Sequence, residues 1–100
     1  MFKISSLLET ENLLLLKVEG EITLDQLSAW NESLVKIFNS PIRRLVIDFC
    51  SITYLSVEAI ELLIDLISPN VLILNCTTLV GNMLKSAGLS ENLLDSTKAK

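Results

Sequence analysis

The stretch Arg43-Arg44-Leu45-Val46-Ile47-Asp48-Phe49-Cys50-Ser51-Ile52-Thr53-Tyr54-Leu55-Ser56-Val57-Glu58-Ala59-Ile60 decides the fold class. Leu45-Val46-Ile47 is an unbroken apolar run, bounded by arginines and Asp48. That is the pattern of a strand covered on both faces in the middle of a parallel sheet, predicted over Arg43 to Phe49. From Val57 the spacing changes: Ile60, Leu63, Ile64 and Ile67 recur at helical intervals, with Leu62 and Leu66 beside them. Glu58, Glu61 and Asp65 are left to face water. A helix is therefore predicted over Val57 to Ile67, with Ser56 as its N-cap and Ser68-Pro69-Asn70 as its stop.

The same alternation continues on both sides. Val71-Leu72-Ile73-Leu74 reads as a second buried strand, and a third helix is predicted from about Thr78. It carries Leu79, Val80, Met83, Leu84 and Ala87 on one side and ends at Gly88. Leu89, Leu93 and Leu94 are expected to pack a last short helix capped by Ser90, before a frayed polar tail at 96–100. Upstream, Thr23-Leu24-Asp25-Gln26 has the spacing of a capping box. Leu24, Leu27, Trp30, Leu34 and Ile37-Phe38 then mark the first helix, stopped before Pro41. Phe2 to Leu8 and Leu13 to Val18 flank Glu9-Thr10-Glu11-Asn12 and read as a hairpin. Leu13-Leu14-Leu15-Leu16 is again a run suited to a strand covered on both faces, and Gly20 is expected to break it.

The order is β-β-α-β-α-β-α. Strand–helix–strand alternation implies parallel pairing with right-handed crossovers, and the leading hairpin adds an antiparallel edge. The expectation is one α/β domain over 1–95, a mixed central sheet with helices packed on it, and no repeat or linker.

Composition narrows the function. Half of the 100 residues are hydrophobic and a fifth are charged, which is too apolar for a disordered chain. The longest apolar run is four residues, against the roughly 20 of a membrane span. The first residues, Met1-Phe2-Lys3-Ile4-Ser5-Ser6, lack the features of a secretory signal, so a cytoplasmic location is expected. Twelve acids against eight bases give a net charge of −4, and Arg43-Arg44 is too small a cluster to bind nucleic acid. The absence of histidine removes Ser-His and Cys-His catalysis within this chain. Two cysteines without a CxxC pair do not make a zinc site; Cys50 and Cys76 are expected to be reduced packing residues. Three glycines build neither a P-loop nor a dinucleotide fingerprint. The only carboxylates near one face are Glu58 and Asp48. A non-catalytic protein without metal or cofactor is expected.

In open α/β sheets, partners meet the carboxyl ends of strands, where helices begin. The turn from Leu55 to Ala59 lies there. A buried strand ending in Asp48, then Ile52, Tyr54 and Leu55, then a helix-opening turn and an apolar helix resembles the STAS domain. Glu19-Gly20-Glu21-Ile22 is similar to that family's glycine-centred motif after the second strand. Leu72-Ile73-Leu74-Asn75 resembles its last core strand, and Leu79 to Leu89, closing in Ala87-Gly88-Leu89, its following helix. The resemblance covers nearly the whole chain and implies a STAS-like fold. It also implies a protein partner: an anti-sigma factor or kinase-like protein, or the ATPase of an ABC-type phospholipid transporter at the inner face of the membrane. No direct membrane insertion is implied, and a monomer or weak dimer is expected.

The departures from the family pattern are specific. In the phosphoregulated members the turn reads Asp-Ser-Ser/Thr-Gly-Leu, and its first serine accepts phosphate. Here it is Ser56-Val57-Glu58-Ala59-Ile60, so the acceptor position is Val57, which has no hydroxyl. Thr23 likewise follows Ile22 where the family carries Asp. Two readings of Glu58 stand: an acid stabilising the positive end of a helix, or a fixed charge resembling the phosphorylated state. Ser56 is either a cap or a displaced phosphoacceptor, and Asp48 either anchors the following loop or contacts a partner. The resemblance implies a partner-binding set of Ser56, Val57, Glu58, Ala59, Glu61 and Asp65.

Overall fold

In the computed structural model, which describes residues 1–39, 44–68, 70–75 and 77–95, the chain opens with an antiparallel hairpin of β1 (Phe2–Glu9) and β2 (Leu13–Ile22). Thr10 closes the turn: its N–H donates to the Leu13 carbonyl (2.8 Å) and its hydroxyl oxygen accepts from the Leu13 N–H (3.0 Å). β2 runs on through Gly20 rather than breaking there. Gly20 has φ +98°, and a Cβ at this position would lie 2.3 Å from the Met1 carbonyl oxygen. That same oxygen accepts from the Glu21 N–H at 3.0 Å. Glycine thus lets the two strands stay in close register to their end.

A 3-10 turn (Leu24–Gln26) leads into α1 (Leu27–Phe38). The Gln26 side chain accepts from the Thr23 N–H (3.4 Å), the reach-back arm of a capping box, while the Thr23 hydroxyl donates to the Asp25 carboxylate. Then come β3 (Arg44–Leu55), α2 (Val57–Leu66), β4 (Val71–Asn75) and α3 (Thr78–Ser86). α3 stops as its sequence predicts. Gly88 takes φ +95°, its N–H donates to the Lys85 carbonyl, and the Leu89 N–H donates to the Leu84 carbonyl, both at 3.0 Å.

The expected last helix is instead a 3-10 turn (Ser90–Asn92) followed by β5 (Leu93–Asp95). The reason is local. The Asn92 side chain donates to the carbonyls of Val71 (2.8 Å) and Ser68 (3.2 Å), which fastens the chain beside β4 and sets Leu93 opposite Ile73. The tail at 96–100 lies outside the described residues.

The five strands are ordered β1-β2-β3-β4-β5, with β2 to β5 mutually parallel. Each crossover advances one strand in the same direction, so crossovers of one hand place all three helices on one face. Burial agrees. Leu14, Leu16, Val18, Leu45, Ile47, Phe49, Val71 and Ile73 form a single core with Trp30, Leu34, Ile60, Leu63, Val80 and Leu84 from the helices. The alternate strand residues Leu13, Leu15, Val46, Leu72 and Leu74 belong to no part of that core and are only half-buried. This corrects the expectation of strands covered on both faces: among the described residues, helices cover one face only.

Candidate functional site

β3 is longer than its sequence suggests, because it carries two irregularities against β2. Lys17 lies opposite Asp48 but Glu19 opposite Ser51, and Gly20 lies opposite Ile52 but Glu21 opposite Tyr54. Each adds one residue to β3, the geometry of a bulge. Phe49, Ile52 and Leu55 are consequently all buried at intervals of three, which an unbroken strand does not allow. The Asp48 carboxylate serves the first bulge by accepting from the Cys50 N–H at 2.8 Å. This is the anchoring role, although Asp48 sits within β3 rather than at its end. Its neighbours Ile47 and Phe49 point into the core, so Asp48 faces the opposite side of the sheet and does not join Glu58.

The extended β3 delivers the chain to the turn before α2. Ser56 is 3% exposed, and its Oγ accepts from the Ala59 N–H at 3.1 Å, the bond of an N-cap. Its N–H donates to the Ile22 carbonyl (3.0 Å), tying the turn to the end of β2. Trp30, buried in α1, donates from its indole nitrogen to the Ala59 carbonyl (3.0 Å). The Phe2 ring meets the Trp30 ring edge-on, centroids 5.6 Å apart. The first turn of α2 is therefore clamped from below by β2 and α1. Burial of Ile60 and Leu63 adds about 1.5–3 kcal/mol each.

What this rigid turn presents is mostly Val57, 60% exposed, with Glu58 beside it and Tyr54 preceding it. Glu58, Glu61 and Asp65 are all exposed and lie three and four residues apart, so they share one face of α2. Glu58 in the first helical turn also sits at the positive end of the α2 dipole. Of the six residues expected to bind a partner, Ser56 and Ala59 are buried and shape the turn. Val57, Glu58, Glu61 and Asp65 are available at the surface.

The sequence did not single out the groove beside this ridge. Val57, Ile60 and Ile64 of α2 face Leu79, Met83 and Ala87 of α3 across an apolar depression of about 510 Å³. Leu79, expected on the packed side of α3, is 65% exposed at its rim. It lies in the first turn of α3. Cys50 is disulfide-bonded, which corrects the expectation of a reduced thiol there. In the β3–β4 register Asp48 lies opposite Leu74, and in sequence each is followed by a cysteine two residues on. Cys76 itself lies outside the described residues. No described helix is long and apolar enough to cross a membrane, and no described group of three or more His, Cys, Asp or Glu side chains is placed to hold a metal ion.

Among the described residues, a five-stranded sheet with an antiparallel edge, three helices on one face and a clamped turn before the second helix make a STAS-like fold. Solved structures carry the comparison. The chain is similar to the anti-sigma factor antagonist SpoIIAA in its unphosphorylated form, with a TM-score of 0.71 and 13% identity, over 96% of this chain and 90% of that one. An anti-sigma factor antagonist from Mycobacterium paratuberculosis gives a TM-score of 0.73 and 15% identity, over 93% and 85% of the two chains. At these identities the likeness is one of fold. The sequence matches no protein-family model and no curated protein sequence.

Proposed function

We propose that this chain is a non-catalytic protein-interaction module of the anti-sigma-factor-antagonist kind, docking onto a protein partner through the turn before α2 and the acidic face of that helix. The observation that carries the reading is the pairing of fold and turn. The antagonists share the fold over nearly its full length, and this turn is rigid, exposed at Val57 and rimmed by Glu58, Glu61 and Asp65. A preorganised surface loses little conformational entropy on docking. Its acids favour a partner with basic residues facing them.

The turn has no phosphate switch in this reading. Val57 offers no hydroxyl, and the Ser56 hydroxyl is buried and accepts from the Ala59 N–H, so Ser56 acts as a cap. Glu58 supplies a permanent charge where a phosphate would bring about −1.5 to −2. Binding is then constitutive or governed by the partner. The experiment is affinity purification of the tagged chain from its native cell, with identification of co-purifying proteins by mass. An anti-sigma factor or a kinase-like protein is the expected partner. A transporter ATPase with its membrane subunit would assign the module to lipid transport instead. Absence of any stoichiometric partner would refute an interaction module.

A further inference from the structure

The face of the sheet turned away from the helices carries an ordered pattern of its own. Leu8 on β1 lies opposite Leu15 on β2, Leu15 opposite Val46 on β3, and Val46 opposite Leu72 on β4. These four form one apolar row across four strands, with Leu8 47% exposed at its end. The next row runs Ser5, Lys17, Asp48 and Leu74 through the same pairings. The runs Leu13–Leu16 and Val71–Leu74 are thus apolar on both sides, the composition of strands buried on both faces. Among the described residues, only one of those faces is covered.

We propose that a second copy of this chain covers it, the two sheets packing face to face about a two-fold axis. The rows are self-complementary about a line along the strands between β2 and β3. An axis along that line sets Leu15 of one copy against Val46 of the other, and Leu8 against Leu72. In the next row it sets Lys17 against Asp48 twice, so both charges meet opposite charges. Aligned packing of two twisted sheets about 10 Å apart accepts this arrangement. The four facing strands β1 to β4, about 4.8 Å apart, over about seven residues of strand, give a face of roughly 450 Å² per copy. A total near 900 Å² lies just below the standard interface size of about 1,200–2,000 Å², so the dimer is a weak, concentration-dependent one. The face lies opposite α2, and the dimer leaves both docking turns free; the inference stands independently of the proposed partner.

Sedimentation equilibrium of the full-length wild-type chain across about 5–500 µM tests it, beside variants whose fold is checked by circular dichroism. The wild type should pass from monomer to dimer within that range, at the weak affinity such an area supports. Leu15→Glu places a carboxylate in the apolar row and should raise the dissociation constant at least about tenfold. Lys17→Glu and Asp48→Lys should each weaken association alone. An equimolar mixture of the two should regain it, because both contacts then pair opposite charges. A wild type that stays monomeric throughout, a dimer indifferent to Leu15→Glu, or a mixture no stronger than its components would each overturn the proposal.

Discussion

Gly20 and Gly88 share nearly the same backbone conformation, φ +98° and +95°, but differ in what surrounds them, which makes them a matched pair. Alanine at Gly88 would meet nothing within 4 Å, so its cost is the left-handed strain alone. That strain is about 1–2 kcal/mol, partly offset by the reduced freedom of the unfolded chain, leaving about 1 kcal/mol. Alanine at Gly20 carries the same strain, and its Cβ falls 2.3 Å from the Met1 carbonyl oxygen. That oxygen belongs to backbone, so relief requires the start of β1 to move. The move breaks the bond from the Glu21 N–H, worth about 0.5–1.5 kcal/mol. It also loosens Phe2 from the edge of Trp30, about 0.5–1.5 kcal/mol more. The sum for Gly20→Ala is about 3 kcal/mol, or a fall in Tm of about 12–24 °C, against about 4–8 °C for Gly88→Ala. Thermal unfolding followed by far-UV circular dichroism measures both. Equal shifts would show that the close approach of Met1 to Gly20 does not hold β1 in place, and the argument for that edge would fail.

Ser56→Ala removes the N-cap of α2 and should cost about 0.5–2 kcal/mol by urea denaturation, whereas loss of a free surface hydroxyl would cost nothing measurable. The Cys50 peptide should resist alkylation before reduction and take up label afterwards; ready labelling of the unreduced protein would contradict the disulfide. The hydrogen bond from the Thr23 hydroxyl, followed by Asp25's own backbone bond, holds the Asp25 carboxyl below its ordinary pKa. A depressed folded-state value means a stabilising contribution present above the unfolded pKa and lost as pH falls through the folded one. The stability difference between wild type and Asp25→Asn should therefore be level at neutral pH and shrink below about pH 4. A difference that grows on acidification would reverse the sign of the argument.

The three helices and the parallel alternation were legible because their signals are local: a helical stripe in α2, a reach-back glutamine before α1, a glycine after α3. The far half of β3 was not. Its two bulges move Ile52 and Leu55 off the strand period, and the stretch reads as turn although it is strand throughout. β5 was missed for a different reason. Three residues carry no periodicity, and the side-chain bonds from Asn92 that place them are long-range. At the site, chain order sufficed to find the turn and its acids. Deciding that Ser56 and Ala59 point inward required the positions of Ile22 and Trp30. The row from Leu8 to Leu72 was beyond reach for the same cause, since register between strands is set by tertiary packing and turn geometry. Its only trace in sequence is the surplus of leucine on alternate positions of β2 and β4.

In the proposed function, the acidic face of α2 and its turn are the docking surface. Its most direct test is calorimetric titration of the co-purifying partner with wild type and with the Glu58→Lys, Glu61→Lys double variant. Neither side chain is buried, so the fold should be unaffected. An exposed ion pair contributes about 0.2–1 kcal/mol and its reversal roughly twice that, so two reversals should weaken binding at least about fourfold. An unchanged dissociation constant, with the partner bound and the variant folded, would place the docking surface elsewhere on the molecule.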